Sequence, residues 1–280
     1  MDIRRNRCPA WLPLFAFWTA VTFYGATAPA QLIVAHRGAS YDAPENTLAA
    51  FRLAWAQGAD AIEGDFHLTQ DGRIACIHDA DTKRVTGNAA SWNVTETAWE
   101  RLRTLDVGRW KGEAFSGEKI PSLAEVLAVV PPDKKFYLEI KGGPDRVEPI
   151  ARVLSAGPLK PDQIVIITFN AETVARVRER LPEIKTYWLV GYKQDEKTGD
   201  WKPTLDEILP TLDRIRAHGL STQANAEIVD EVFVQHLRSA GYEFHVWTID
   251  DPDSARRFRD LGADSITTNR PAFLREALRH

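Results

Sequence analysis

Residues 32–65 read LIVAHRGASYDAPENTLAAFRLAWAQGADAIEGD. Leu32–Ala35 is a short apolar run of the kind a buried parallel strand requires. Across Asn46–Gln57 apolar residues recur at three- and four-residue spacing, the pattern of one helix face. Gly58 supplies helix-stop chemistry, and Ala61–Asp65 is a second apolar run. Strand, helix and strand in so short a span make a βαβ unit, which calls for a parallel sheet.

The same rhythm continues outward. Strands are predicted at Phe136–Ile140, Ile164–Thr168, Thr186–Val190, Leu220–Gln223, Phe244–Thr248 and Ser265–Thr268. Helical spacing recurs at Ser122–Val130, Ala171–Leu181, Thr204–His218, Glu227–Ala240 and Asp253–Leu261, with Gly219, Gly241 and Gly262 as further stops. Eight strands alternating with helices over about 250 residues is the size of an α/β chain closed into a (β/α)₈ TIM barrel, here residues 31–280. An open doubly wound sheet would more often have fewer strands and a Gly-rich nucleotide loop, and neither GxGxxG nor a P-loop occurs. Two stretches break the alternation. Phe66–Ile77 alternates apolar and polar residues around Asp71-Gly72, a hairpin signal that returns His78 to the barrel rim. About residues 80–121, with Trp92, Trp99 and Trp110, are too many for a simple loop and read as a small cap after the second strand and its hairpin.

The composition is globular, with 44% apolar and 26% charged residues, and the net charge of -4 argues against a nucleic-acid partner. Residues 1–30 read as a signal peptide. Arg4, Arg5 and Arg7 precede an uncharged run from Trp11 to Gly25, then Ala26, Ala28 and Ala30, with cleavage expected after Ala30. Export to a periplasmic or extracellular space follows, with an uncleaved membrane anchor as the alternative. The run is short for a span and Pro13 interrupts it; no other stretch is long enough, so no membrane span is expected after processing. Removal of Cys8 with the leader would leave Cys76 without a disulfide partner.

Chemistry-bearing residues gather where strands end. Glu63 and Asp65 are two apart and therefore share a strand face, and Glu139 and Lys141 repeat the spacing on the next barrel strand. Three carboxylates converging at a barrel mouth need compensation. A hard divalent cation would provide it through oxygen ligands, and so would a salt-bridge network with Arg37 and Lys141. His36 and His78 follow strands ending at the same rim and suit general acid–base work, because unperturbed histidine titrates near neutrality. Arg37 and Lys141 are the local positive charge an anionic substrate needs. Asn46 or Thr47 would cap the helix that follows, Glu45 would favour its positive end, and Glu45 or Asn46 could serve the site as well. Trp247 reads equally as a wall for a ligand's carbon skeleton or as core.

Together these motifs resemble those of the glycerophosphodiester phosphodiesterase family. The matching pieces, in order, are AHRG at 35–38, PENT at 44–47, EGD at 63–65, TQDG at 69–72, HD at 78–79, EIK at 139–141 and VWT at 246–248. The resemblance runs from about residue 32 to residue 272. It implies a TIM barrel with a small insertion after the HD motif. It also implies one divalent cation, Mg²⁺ or Ca²⁺, on Glu63, Asp65 and Glu139. His36 and His78 become the acid–base pair, Arg37 and Lys141 become phosphate contacts, and Trp247 falls at the family's late Trp-Thr motif. The implied reaction splits a small phosphodiester into glycerol 3-phosphate and an alcohol. Gly64 departs from the pattern, standing where the family usually has a larger apolar residue. Ser221-Thr222-Gln223-Ala224-Asn225 matches no substrate pattern, so the alcohol stays unassigned. Two other readings remain: a phospholipase D-like hydrolase of lysophospholipids or sphingolipids, which an apolar Trp-rich insertion would favour, and a non-catalytic phospho-polyol binding protein.

Overall fold

The computed structural model describes residues 31–279. The expected leader over residues 1–30, with Cys8, lies outside the described residues, as does His280. In chain order the elements begin β1 (Leu32–Ala35), α1 (Leu48–Ala56), β2 (Ala61–Leu68), β3 (Ile74–Cys76), α2 (Trp99–Leu102), α3 (Leu123–Leu127) and β4 (Lys135–Ile140). They continue with α4 (Val147–Ala156), β5 (Ile164–Thr168), α5 (Ala171–Arg180), β6 (Lys185–Val190), a short hairpin β7 (Lys193–Gln194) and β8 (Trp201–Lys202), and α6 (Leu205–Arg214). The last are β9 (Gly219–Gln223), α7 (Glu231–Ser239), β10 (Glu243–Trp247), α8 (Pro252–Asp260), β11 (Ser265–Thr268) and α9 (Pro271–Ala277).

Eight strands close a parallel barrel in the order β1-β2-β4-β5-β6-β9-β10-β11. β1 shuts it by pairing with both neighbours, Val34 opposite Ala61 on one side and Ala35 opposite Thr268 on the other. Alternation along each strand sorts the core into two layers. Val34, Ala61, Tyr137, Val165, Ile167, Tyr187 and Leu189 pack together in one cluster with Trp247 against it. Their out-of-phase neighbours, among them Ile62, Phe136, Leu138 and Ile166, pack with helix residues such as Phe51 and Leu123. Glu63 follows Ala61 by two, and Glu139 follows Tyr137 by two, so strand phase carries both carboxylates onto the inner row.

β3 pairs antiparallel with the upper end of β2, Phe66 opposite Cys76, and Ile77 N donates to Asp65 O, which leads the chain back to His78. The stretch from residue 80 to 121 is mostly irregular and carries its own apolar cluster, in which Val85, Val94, Leu102, Val107 and Ile120 surround Trp99. Trp92 lies under the Arg101 guanidinium, 4.1 Å from the ring centre, and Trp110 is 36% exposed. The tryptophans therefore present no continuous apolar face.

Two helices end earlier than their spacing predicts, the first being α3, which stops at Leu127 rather than Val130. α6 stops at Arg214, and Arg216 takes the left-handed conformation at φ 52°. Gly219 is consequently no helix stop. It is the first residue of β9, where a Cβ would lie 2.4 Å from Glu243 O, so close strand approach is what demands glycine. Among the described residues no helix is long and apolar enough to cross a membrane.

Candidate active site

Parallel pairing of β2 with β4 places Asp65 opposite Glu139. With Glu63 they form a buried group whose ligand oxygens lie within 4.8 Å of one another. Two cations are built into the same space. Lys141 Nζ is 2.9 Å from Asp65 Oδ1 and also contacts Glu139, and Arg37 Nε is 3.2 Å from Asp65 Oδ2. The salt-bridge network is thus real, yet it leaves Glu63 Oε1 buried without a hydrogen-bond partner among the described residues. Burial, then the charges of Asp65 and Glu139, push the Glu63 carboxyl well above its ordinary range. Burial and Asp65 push Glu139 up to about 8. Burial acts upward on Asp65 too, but Lys141 and Arg37 outweigh it and hold that carboxyl below its ordinary range. Three desolvated carboxylates against two cations, with an oxygen left over, is a donor set that fits a hard divalent ion.

Local backbone geometry aims the surrounding groups. Arg37 is left-handed at φ 55° and Gly38 follows at φ 80°, which turns the Arg37 N–H to donate to Glu63 Oε2 at 2.9 Å. A side chain at Gly38 would strike the Ala50 backbone at 2.6 Å. Asn46, left-handed at φ 57°, donates from its backbone to Arg37 O and grips Asp65 with both ends of its amide, at 2.8 and 3.1 Å. It does not cap α1; Thr47 does, accepting from Ala50 N. Glu45 binds Arg37 and Arg84 rather than the helix end. Gly64 needs no larger side chain, because Phe51, Cys76 and Phe66 already approach within 3.3 Å of where its Cβ would stand.

The two histidines flank these groups in different settings. His36 Nδ1 lies 2.8 Å from Asn269 Oδ1. Asn269 Nδ2 donates to Asp250 Oδ2 at 2.6 Å, and a carboxylate only accepts, so the amide oxygen is the end that faces His36. His36 therefore carries its proton on Nδ1 and keeps a lone pair on Nε2. Burial and the neighbouring Arg37 lower its pKa to about 4. His78 is one third exposed and has a charged neighbour, with Nδ1 2.8 Å from Asp79 Oδ1. Elsewhere His67 bonds His78 O, His218 bonds Thr186 N and His236 bonds Val232 O, all to backbone, while His245 bonds Ser265 Oγ.

Both histidines, Arg37, Lys141, Glu63 and Glu139 line one cleft with free space of roughly 130 Å³. Its other wall is apolar. Trp247 packs on the barrel core through Leu189 and its neighbours, and the Phe169 ring meets its edge at 5.5 Å. Trp247 is thus core and wall at once.

The profile of the glycerophosphoryl diester phosphodiesterase family matches residues 36–273. The chain belongs to this family. A glycerophosphodiester phosphodiesterase of Caldanaerobacter subterraneus is 32% identical over 249 residues, covering 87% of this chain and 96% of that protein. A second, from Bacillus subtilis, is 29% identical and covers 86% of this chain and 84% of its own. Among solved structures, an Oleispira antarctica phosphodiesterase in complex with the product sn-glycerol-3-phosphate superposes with a TM-score of 0.77 at 27% identity, covering 89% of this chain and 97% of that one. Membership makes this glycerophosphodiesterase-family chain an enzyme of the phosphoric diester hydrolase class. Phe169 on the cleft wall, and Ser40, Arg84, Asp250 and Asn269 around it, escaped the sequence reading. Ser40 Oγ reaches Asn269 Oδ1 at 2.8 Å, and Asp250 Oδ1 accepts from Thr268 and from the Asn269 N–H. The turn after β11 offered a signal in Thr268-Asn269-Arg270, but nothing local to it points to a histidine 233 residues away.

Proposed function

We propose that the protein hydrolyses glycerophosphodiesters to glycerol 3-phosphate and an alcohol, with His36 as base and His78 as acid. The observation that carries this is the convergence of both histidines, Arg37, Lys141, Glu63 and Glu139 on one cleft. The product held by the Oleispira antarctica relative supports the glycerol phosphate assignment. A non-catalytic binder has no use for two histidines whose ring orientations are separately held.

Glu63, Asp65 and Glu139 would hold one divalent cation, Mg²⁺ or Ca²⁺, because the set offers oxygen donors only. When bound, such an ion supplies Lewis-acid polarisation of a phosphoryl oxygen. Arg37 and Lys141 stand beside those carboxylates and bring positive charge to the substrate's anionic centre. His36 presents a neutral Nε2 to accept the nucleophile's proton, its amide partner carrying no charge. His78, held at Nδ1 by Asp79, would deliver a proton to the leaving alkoxide. Trp247 and Phe169 face the carbon skeleton. The lysophospholipid reading is weakened, since Trp99 is buried in the insertion and Trp92 is covered by Arg101, which leaves Trp110 as the exposed one of the three.

Product release from glycerophosphocholine and from a lysophospholipid, each with and without divalent metal, tests the assignment. Turnover of the first, dependent on metal, is expected; preference for the lysophospholipid would reverse it. The pH profile provides a second check. His36 stays neutral down to about pH 4, so at metal saturation kcat/KM should hold on the acid side until about that value. Below it, protonation removes the accepting lone pair and the rate should fall. An acid limb near the ordinary histidine value of about 6.5 would place the base elsewhere.

A further inference from the structure

The insertion sends one side chain back among the site residues. Arg84 uses its whole guanidinium there. Nη1 and Nη2 donate to the two oxygens of Glu45 at 2.7 and 2.8 Å, and Nε donates to Asp79 Oδ2 at 2.8 Å. Each carboxylate has a second partner inside the cleft. Glu45 Oε1 accepts from Arg37 Nη1 at 3.0 Å, and Asp79 Oδ1 takes the His78 Nδ1 contact at 2.8 Å.

We propose that Arg84 is a positioning residue for the reaction, one guanidinium fixing His78 through Asp79 and Arg37 through Glu45. The inference rests on the hydrolase reading above. The fork geometry carries it, because two parallel bonds to Glu45 and a third to Asp79 define the orientation of both carboxylates at once. Lysine, with one rotatable ammonium, cannot reproduce three directed bonds. Glu45 is only 12% exposed in its side chain, so this ion pair is shielded from solvent on one side, unlike an ordinary surface bridge. Arg84 is itself anchored: Val85, next in the chain, is buried in the insertion's apolar cluster. Packing inside the insertion is thereby transmitted to two groups of the cleft. Without Arg84, Asp79 loses the partner on its second oxygen and becomes free to turn from His78, and Glu45 keeps Arg37 as its one cation among the described residues.

The test compares wild type, R84A and R84K on glycerophosphocholine and on a glycerophosphodiester whose leaving group is 4-nitrophenol. R84A should lower kcat on the choline diester about 10- to 100-fold, the usual cost of removing an outer partner of a site residue. R84K should recover little of this, and added guanidinium ion should restore part of the R84A rate. On the nitrophenyl diester the loss should be smaller, since a good leaving group needs no proton from His78 and only the Arg37 contribution remains. Wild-type turnover in R84A overturns the proposal. So does an equal loss on both diesters with a lowered melting temperature and no response to guanidinium, which is how a merely structural bridge behaves. Wild-type protein inactive on both diesters would sink the hydrolase reading, and the proposal with it.

Discussion

Glu139→Gln is expected to abolish most turnover while leaving the barrel folded. The substitution keeps the shape of the side chain and removes one of three buried carboxylates whose oxygens lie within 4.8 Å of one another. Glu139 sits among like charges and is pushed up to about 8 by burial and Asp65, so its ionised form in this position requires a compensating cation. Loss of the ion removes several kcal/mol of transition-state stabilisation, and at about 1.4 kcal/mol per tenfold this is about 10³-fold in kcat. The fold should not follow, because Lys141 retains Asp65 as a partner and Asp65 retains Arg37 and Asn46. A direct readout needs no catalysis: divalent metal should raise the melting temperature of wild type by mass action and leave that of Glu139→Gln nearly unmoved. Equal stabilisation of both proteins, or full wild-type activity in excess chelator, would remove the carboxylate-held ion from the mechanism.

His36→Ala and His78→Ala should each cost about 10²- to 10⁴-fold in kcat on an alkyl diester. The double variant should be little worse than the poorer single one, because groups acting as a unit are strongly non-additive on deletion. The two singles should part company on a 4-nitrophenyl diester. That leaving group departs without a proton, so it should restore His78→Ala, which has lost the acid. His36→Ala has lost the base and should stay slow. The direction comes from the ring environments: burial and Arg37 keep His36 neutral, with the Asn269 amide oxygen fixing its proton on Nδ1, while His78 faces the Asp79 carboxylate. Restoration of His36→Ala alone would exchange the two roles, and restoration of both or neither would remove the division of labour.

The fold was legible because its signals are local. Buried parallel strands are short runs rich in β-branched and apolar residues, and Leu32–Ala35, Ile164–Thr168 and Ser265–Thr268 stand in the structure with the bounds that composition predicts. Period-two phase along one strand is likewise local, so Glu63 with Asp65, and Glu139 with Lys141, could be read as pairs. Asp71-Gly72 marked the hairpin because a left-handed glycine is a property of the turn itself, Gly72 having φ 78°. The β7–β8 hairpin escaped although its turn also holds a left-handed glycine, Gly199 at φ 75°, since strands of two residues have no alternation to read beside it. Gly219 misled for a related reason: a glycine in sequence does not say whether backbone conformation or a neighbouring strand demands it.

What the sequence alone determined was the eight barrel strands, the barrel they suggest and the residue types at their ends. The tertiary structure decided which groups meet. Barrel closure sets Ala35 opposite Thr268, and only that pairing brings Asn269 to His36 and decides which ring nitrogen is free. Register between β2 and β4 sets Asp65 beside Glu139, and Glu63 Oε1 is left without a hydrogen-bond partner among the described residues. Packing within the insertion carries Arg84 to Glu45, 39 residues away, and with it the orientation of Arg37 and His78. Periodicity and turn chemistry act between near neighbours in the chain, so they are written in it. The partners of a side chain at a barrel mouth are set by how eight strands close and how loops from distant segments settle over them, which no local pattern records.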